Sequence, residues 1–209
     1  MTFHGKLACR EVLLVMTDSQ LIREIKDGNV ELYSELMGRY QKRIMTYIFH
    51  MLKSSGLHNL TEDLCSETFF KAFRSLHTFR ELDASFSTWL YTIARNTVLS
   101  ELRKQKALLV SIEEINIEPI VSQESTPEEQ LIINERSQMV RNAIEQLPDK
   151  QRSALVLREY EQLDYQEIAT ILGQSISSVK SLLFRARSSV KSHLDSYINQ
   201  ERQGNDLRG

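Results

Sequence analysis

Residues 163–194 read LDYQEIATILGQSISSVKSLLFRARSSVKSHL. Asp164 and Glu167 stand at the D-x-x-E spacing of a capping box, which predicts a helix starting just after Asp164. Ile168, Ile171 and Leu172 form its buried side, and Ala169 is small where a second helix must cross closely. Gly173 falls where a left-handed C-cap belongs. A second helix then starts from Ser175 or Ser177, with the apolar stripe Ile176, Val179, Leu183, Ala186, Val190 and Leu194. Ser177, Ser178, Ser181, Arg185 and Ser188 lie opposite that stripe, and Lys180, Phe184, Arg187 and Lys191 run down one flank. The pattern is a helix-turn-helix. Short hydroxyl side chains let a backbone approach a DNA groove, an arginine can pair with a guanine edge, and the flanking cations neutralise phosphate. An ordinary helical hairpin with a solvated basic face is the simpler alternative. DNA binding is preferred because the cap, the small crossing residue, the turn glycine and the acid-free stretch 178–194 coincide.

The rest of the chain is read outward from that motif. It has 209 residues, 41% hydrophobic, with only 7 Gly and 3 Pro, and no extended alternating Val/Ile/Thr run of the kind a sheet needs. The expected fold is all-α: two small helical domains joined by a flexible acidic linker, with the helix-turn-helix in the second. The net charge of −2 says little, but its distribution is uneven. Residues 111–130 hold Glu113, Glu114, Glu118, Glu124, Glu128 and Glu129 with no Lys or Arg. With Pro119 and Pro127 and no periodicity, 107–129 reads as the linker between a domain at 16–106 and a domain at 130–198. Residues 199–209 read as a disordered tail and 1–15 as an arm. Arg10-Glu11-Val12 can be encoded with a ribosome-binding sequence just upstream of Met16, which points to a start at Met16, with a short extra N-terminal arm from Met1 as the equal alternative. Cys9 and Cys65 form no framework, which suits a reducing, cytoplasmic setting, and no apolar run reaches the length of a membrane span.

In the first domain Thr17 or Asp18 caps a helix bearing Leu21, Ile22 and Ile25, and Asp27-Gly28-Asn29 breaks it. A longer helix carries Leu32, Leu36, Ile44, Ile48 and Leu52. The next, TEDLCSETFFKAFRSL, has the apolar face Leu64, Thr68, Phe69, Ala72, Phe73 and Leu76, with Thr61 ahead of an acidic first turn that suits the helix dipole. Ser85 or Ser87 caps FSTWLYTIARNTVLSELRKQK, whose core stripe is Leu90, Ala94, Val98 and Leu102. Trp89, Thr92, Asn96 and Arg103 fall on one flank, Tyr91 and Arg95 on another. Aromatics beside amide and guanidinium groups suit unpaired bases, although core packing is the simpler reading of Phe86 and Trp89 alone. In the second domain Ile133, Val140, Ile144 and Leu147 mark a helix that Pro148 stops, and DKQRSALVLREY follows. His58, Glu62 and Cys65 stand at metal-ligand spacing. His58 precedes the helix and no fourth ligand is placed, so no metal site is expected. No phosphate-binding glycine loop or nucleophile motif occurs, so no catalytic site is expected either.

Four stretches, EDLCSETFFKAF (62–73), FSTWLYTIARN (86–96), LPDKQRSALVLREYE (147–161) and YQEIATILGQSISSVKSLLFRARSSV (165–190), come in an order and at separations that resemble bacterial RNA polymerase sigma factors. The match is to the extracytoplasmic-function (ECF) group of the sigma-70 family, over roughly residues 18–195. The resemblance implies a first domain that docks on the polymerase β′ subunit through Asp63, Glu67 and Phe69. That domain also opens the minus-ten element, with the loop from Phe79 to Phe86 and with Trp89, Tyr91, Arg95 and Asn96 at the unpaired strand. The second domain would read the minus-thirty-five element with Ser178, Lys180, Ser181, Phe184, Arg185, Arg187 and Lys191. The implied partners are core RNA polymerase (β′ and β), promoter DNA and an anti-sigma factor, and no cofactor is implied. Ser66 stands where the family usually has Gln, Thr92 where a basic residue is common, and Leu182 where Arg is common. A stand-alone helix-turn-helix regulator would use 130–198 alike but has no use for 62–73 together with 86–96.

Overall fold

In the computed structural model, residues 16–113 and 135–206 are described, with side chains over 16–108 and 138–195. The described residues form α-helices and short 3₁₀ turns, with no strand among them. The first helix, α1 (Asp18–Lys26), is capped by Thr17. Its Oγ1 accepts from Gln20 N at 3.3 Å while Gln20 Oε1 accepts from Thr17 N at 2.8 Å. The long helix α2 (Tyr33–Lys53) buries Leu36, Ile44, Ile48 and Leu52, joined by Tyr40, Tyr47 and Met51.

Next comes α3 (Thr61–Ser75), entered through the turn His58–Leu60. Thr61 does not cap it: it is the first residue of the helix itself, the N-cap position is Leu60, which makes no side-chain cap hydrogen bond, and the Thr61 hydroxyl donates to His58 O at 2.6 Å. Leu64, Thr68, Phe69, Ala72 and Leu76 are buried as the stripe predicts, whereas Phe73 is 41% exposed. Ser85 caps α4 (Phe86–Glu113), its Oγ accepting from Thr88 N at 3.2 Å. Leu90, Ala94 and Val98 are buried. The helix continues to Glu113, so 107–113 belong to it and not to a linker. The stretch Ala107-Leu-Leu-Val-Ser-Ile holds no Gly or Pro to stop it. Residues 114–129 lie outside the described residues.

In the second unit α5 (Glu135–Glu145) buries Ala143 and Ile144, while Val140 is 37% exposed; Ile133 lies outside the described residues. Pro148 occupies the N-cap position of α6 (Asp149–Glu159). The capping box of α7 (Tyr165–Leu172) is present, with Glu167 N to Asp164 Oδ1 at 2.8 Å and Asp164 N to Glu167 Oε2 at 2.9 Å. Gly173 ends that helix at φ 61, ψ 42, the left-handed cap. Ser175 opens α8 (Ile176–Asp206), its Oγ accepting from Ser178 N. Ile176 is 39% exposed and not part of the buried stripe, and Leu182 joins Val179, Leu183 and Ala186 in its place. The expected disordered tail is helical over 199–206, where straight-chain Gln, Glu and Arg favour helix; 207–209 lie outside the described residues.

The two units share one hydrophobic core. Helix α2 packs on α3, α4 and α6, α4 packs on α7, and α8 closes on α5, α6 and α7. His50 sits at the junction, 6% exposed, its ring 4.7 Å from that of Tyr160. Burial first, and then the Lys53 charge, hold its pKa below the usual histidine value. The unfolded chain therefore takes up this proton before the folded one as pH falls. The stability His50 contributes is complete above about pH 6.5 and is lost as pH drops below it. Urea midpoints at pH 7.5 and 5.5 should differ more for the natural chain than for His50→Gln.

Candidate nucleic-acid interface

Helix α8 presents a short-chained, basic face because its apolar positions are used up against α5, α6 and α7. Ser181, Phe184, Arg185 and Lys191 are exposed, Phe184 by 72%. The Arg185 guanidinium reaches back along the helix, Nε donating to Ser181 O at 3.2 Å, and the residue remains exposed. Lys180 lies over the Tyr165 ring, 5.9 Å from Nζ to centroid. Two of the expected readers are already engaged. Ser178 is half-buried and donates to Gln174 Oε1 at 3.0 Å. Arg187 is ion-paired with Glu159 at 2.7 Å, and that hydrogen bond raises its pKa. The acid that neutralises Arg187 comes from α6, so the acid-free stretch in sequence is not acid-free in space.

In the first unit the expected strand-capture residues divide into two sets. Phe79 and Phe86 are 4% exposed, and with half-buried Trp89 they form a cluster with ring centroids 5.1–5.8 Å apart. Lys26 Nζ ties this cluster down through Phe79 O at 2.7 Å. These three rings therefore anchor the loop between them and do not form an open stacking platform. The loop's exposed apolar tip is Leu82, 99% exposed between Glu81 and Asp83, which sequence reasoning passed over. Asn96 is exposed on the Trp89 flank, two turns further along, and Arg95 is half-buried. Tyr91 is fully buried against Tyr47, with ring centroids 5.6 Å apart, and its hydroxyl donates to Glu161. Burial, and then that carboxylate, push the Tyr91 phenol well above its usual pKa. Tyr91 thus faces the second unit.

Helix α3 offers a separate surface. Asp63 is exposed, and Glu67 is half-exposed and paired with Lys71 at 2.7 Å. Phe69 is 2% exposed, packed inward with Leu64, Cys65 and Ala72, so it cannot present its ring to a partner. Phe70, the next residue, is the exposed ring of this face. It is 59% exposed beside Arg74, at the i+3 step from Glu67 and i+7 from Asp63. That helical spacing is the signal that separates the two phenylalanines in the sequence. Cys65 is buried, with its thiol pushed up to about 11 by burial, while His58 meets Phe49 edge-to-face with ring centroids 6.1 Å apart. Among the described residues no group of three His, Cys, Asp or Glu side chains is placed to hold a metal, and no helix is long and apolar enough to cross a membrane.

Residues 36–108 match the family described as sigma-70 region 2, and residues 137–190 match sigma-70, region 4. The ECF RNA polymerase sigma-E factor of Salmonella typhimurium is 32% identical over 192 residues, covering 88% of this chain and 98% of that protein. Among solved structures, the sigma factor RpoE in complex with the anti-sigma factor NepR from Bartonella quintana aligns with TM-score 0.63 at 24% identity, over 78% of this chain and 96% of that one. CnrH in complex with the cytosolic domain of CnrY aligns with TM-score 0.60 at 20% identity, over 84% and 96%. Both show a likeness of fold.

Proposed function

This chain belongs to the sigma-70 family, in its ECF group, as a sigma factor directing transcription initiation, and from that premise we propose how its surfaces divide the work. The observation that carries the division is the separation of an exposed acidic and aromatic helix face, Asp63, Glu67 and Phe70 on α3, from the exposed basic face of α8. The α3 face docks core RNA polymerase. The loop 80–85, held by the Phe79, Phe86 and Trp89 cluster, and Asn96 on α4 meet the unpaired minus-ten strand. On α8, Ser181, Phe184 and Arg185 read the minus-thirty-five element while Lys180 and Lys191 touch phosphate. The protein is not an enzyme and works in the cytoplasm, where polymerase and DNA are. An anti-sigma factor holds it inactive by covering α3 or α8, a reading supported by the partners of the two solved relatives.

The deciding experiment is reconstitution. The purified chain added to core polymerase should yield transcripts from a limited set of start sites on chromosomal DNA of its source, and core alone should not. Start sites unchanged by the protein would refute the division. Within the same assay, Arg185→Ala should cost about 1–3 kcal/mol on the preferred promoter and relax preference at one base pair. Lys191→Ala should weaken all DNA alike and lower the salt slope by about one. Equal losses on preferred and random DNA for both variants would refute the separate roles.

A further inference from the structure

A cavity of about 960 Å³ lies away from every residue assigned above to polymerase or DNA. One wall is α2, where Gly38, Lys42, Met45 and Phe49 follow one another at steps of three and four residues and so share a face. The other wall comes from Val140 and Arg141 on α5 and from Tyr160 at the end of α6, and Thr61 at the start of α3 adds to the lining. Sites that hold small organic molecules measure roughly 300–1,000 Å³, so the volume is that of a ligand site.

The lining is biased in charge. Lys42 and Arg141 stand on opposite walls, and no Asp or Glu lines the cavity. Lys42 is exposed and forms no ion pair among the described residues. The lining is also aromatic. The ring centroids of Phe49 and His50 are 5.9 Å apart, and those of His50 and Tyr160 are 4.7 Å apart. His50 lines the same cavity at 6% exposure, and neither of its ring nitrogens has a hydrogen-bond partner among the described residues. A neutral imidazole carries one N–H, and a buried donor left unmet costs free energy, so His50 offers the cavity a donor that the fold itself does not use. Gly38 keeps one end of the cavity open. It lies inside α2, where a Cβ would meet nothing within 4 Å, so packing does not require glycine there.

We propose that this cavity binds a small organic anion with an aromatic body, its rings against Phe49, His50 and Tyr160 and its carboxylate or sulfonate drawn to Lys42 and Arg141. Lys42 precedes Phe49 by seven residues, about 10 Å along α2, which is the length of an acid of two or three rings. A metal cation or a polyamine would meet like charge on both walls, and a neutral aromatic would leave both cations unused. The inference goes beyond the promoter reading and does not depend on it.

The probe is anilinonaphthalene sulfonate, an aromatic sulfonate whose fluorescence rises in apolar surroundings, titrated into the full chain. Phenylnaphthylamine, the same ring system without the sulfonate, is its neutral counterpart. The natural chain should bind one equivalent of the sulfonate saturably. Lys42→Glu should weaken the sulfonate about fivefold and the neutral dye less than about twofold, since it reverses an exposed charge without changing the walls. Thr46→Phe should weaken both dyes about tenfold or more by filling the middle of the cavity. Its hydroxyl makes only a local bond to Lys42 O within α2, at 2.9 Å. Circular dichroism checks that each variant folds, and should Thr46→Phe fail, exposed Lys42→Glu decides alone. A natural chain that binds no sulfonate saturably overturns the site, and so does sulfonate binding unchanged in the folded variants. Equal weakening of both dyes by Lys42→Glu overturns the anion.

Discussion

Arg152→Ala should lower the stability of the chain by about 3–5 kcal/mol. Arg152 is 3% exposed, yet it sits where three carbonyls have no helical partner. Its Nη2 donates to Leu147 O at 2.6 Å and to Glu145 O at 3.2 Å, which closes the C-terminal end of α5. Its Nη1 donates to Met51 O at 3.2 Å, near the end of α2 in the other unit. Asp149, at 3.5 Å, balances the charge. Burial lowers the guanidinium pKa, but arginine stays charged in proteins. Truncation leaves those carbonyls buried without a donor, and a lysine, a point charge without the planar fork, should recover less than half of the loss. Urea unfolding followed by circular dichroism measures it. A loss under about 1 kcal/mol would mean that water replaces the guanidinium at all three sites.

Asp63→Ala combined with Glu67→Ala should weaken binding to core RNA polymerase by about 2 kcal/mol or more, roughly 30-fold, while the fold survives. Both residues stand on the outer face of α3. The ion pair of Glu67 with Lys71 is an exposed i, i+4 pair with side chains 43% and 44% exposed, so its removal should cost the fold no more than about 0.5 kcal/mol. The effect on binding is larger because charges that meet cations in a closed interface lose their water. Phe70→Ala belongs in the same titration. An exposed ring at the centre of such a face is placed as a hot spot, with an expected loss of about 2 kcal/mol. Phe69→Ala is the contrast. It should unfold the domain rather than release polymerase, since Phe69 is core. A competition titration of labelled chain against each variant separates these outcomes, and unchanged affinity in a folded double variant would remove α3 from the interface.

The difference between Phe69 and Phe70 shows where legibility in the sequence ends. Both neighbours are aromatic, and a one-residue step of about 100° decides between core and surface. The apolar stripe at 64, 68, 69, 72 and 76 carries that answer, whereas the family resemblance points to Phe69, which is buried. Trp89, Phe79 and Phe86 were legible both as core and as base-stacking groups. The first reading fits the loop anchor, and the second needed exposed rings, which Phe79 and Phe86 at 4% exposure are not.

By itself the sequence determined much of what depends on residues within one helical turn of each other. Thr17 with Gln20, Asp164 with Glu167, Ser85, Pro148 and Gly173 set helix ends through hydrogen bonds and dihedral limits that need no distant partner. Periodicity of 3.6 residues likewise marked Leu21, Ile44, Leu90 and Leu183 as buried, because hydrophobic burial selects a helix face wherever the partner lies. Only the tertiary structure decided which charges are spent inside the molecule. Arg187 loses its freedom to Glu159, Arg43 and Tyr91 to Glu161, and Arg152 to carbonyls of both units. Those pairings join residues 28 to 118 positions apart in three of these cases, and electrostatics and hydrogen bonding act through space, within a few ångström, with no trace in local spacing.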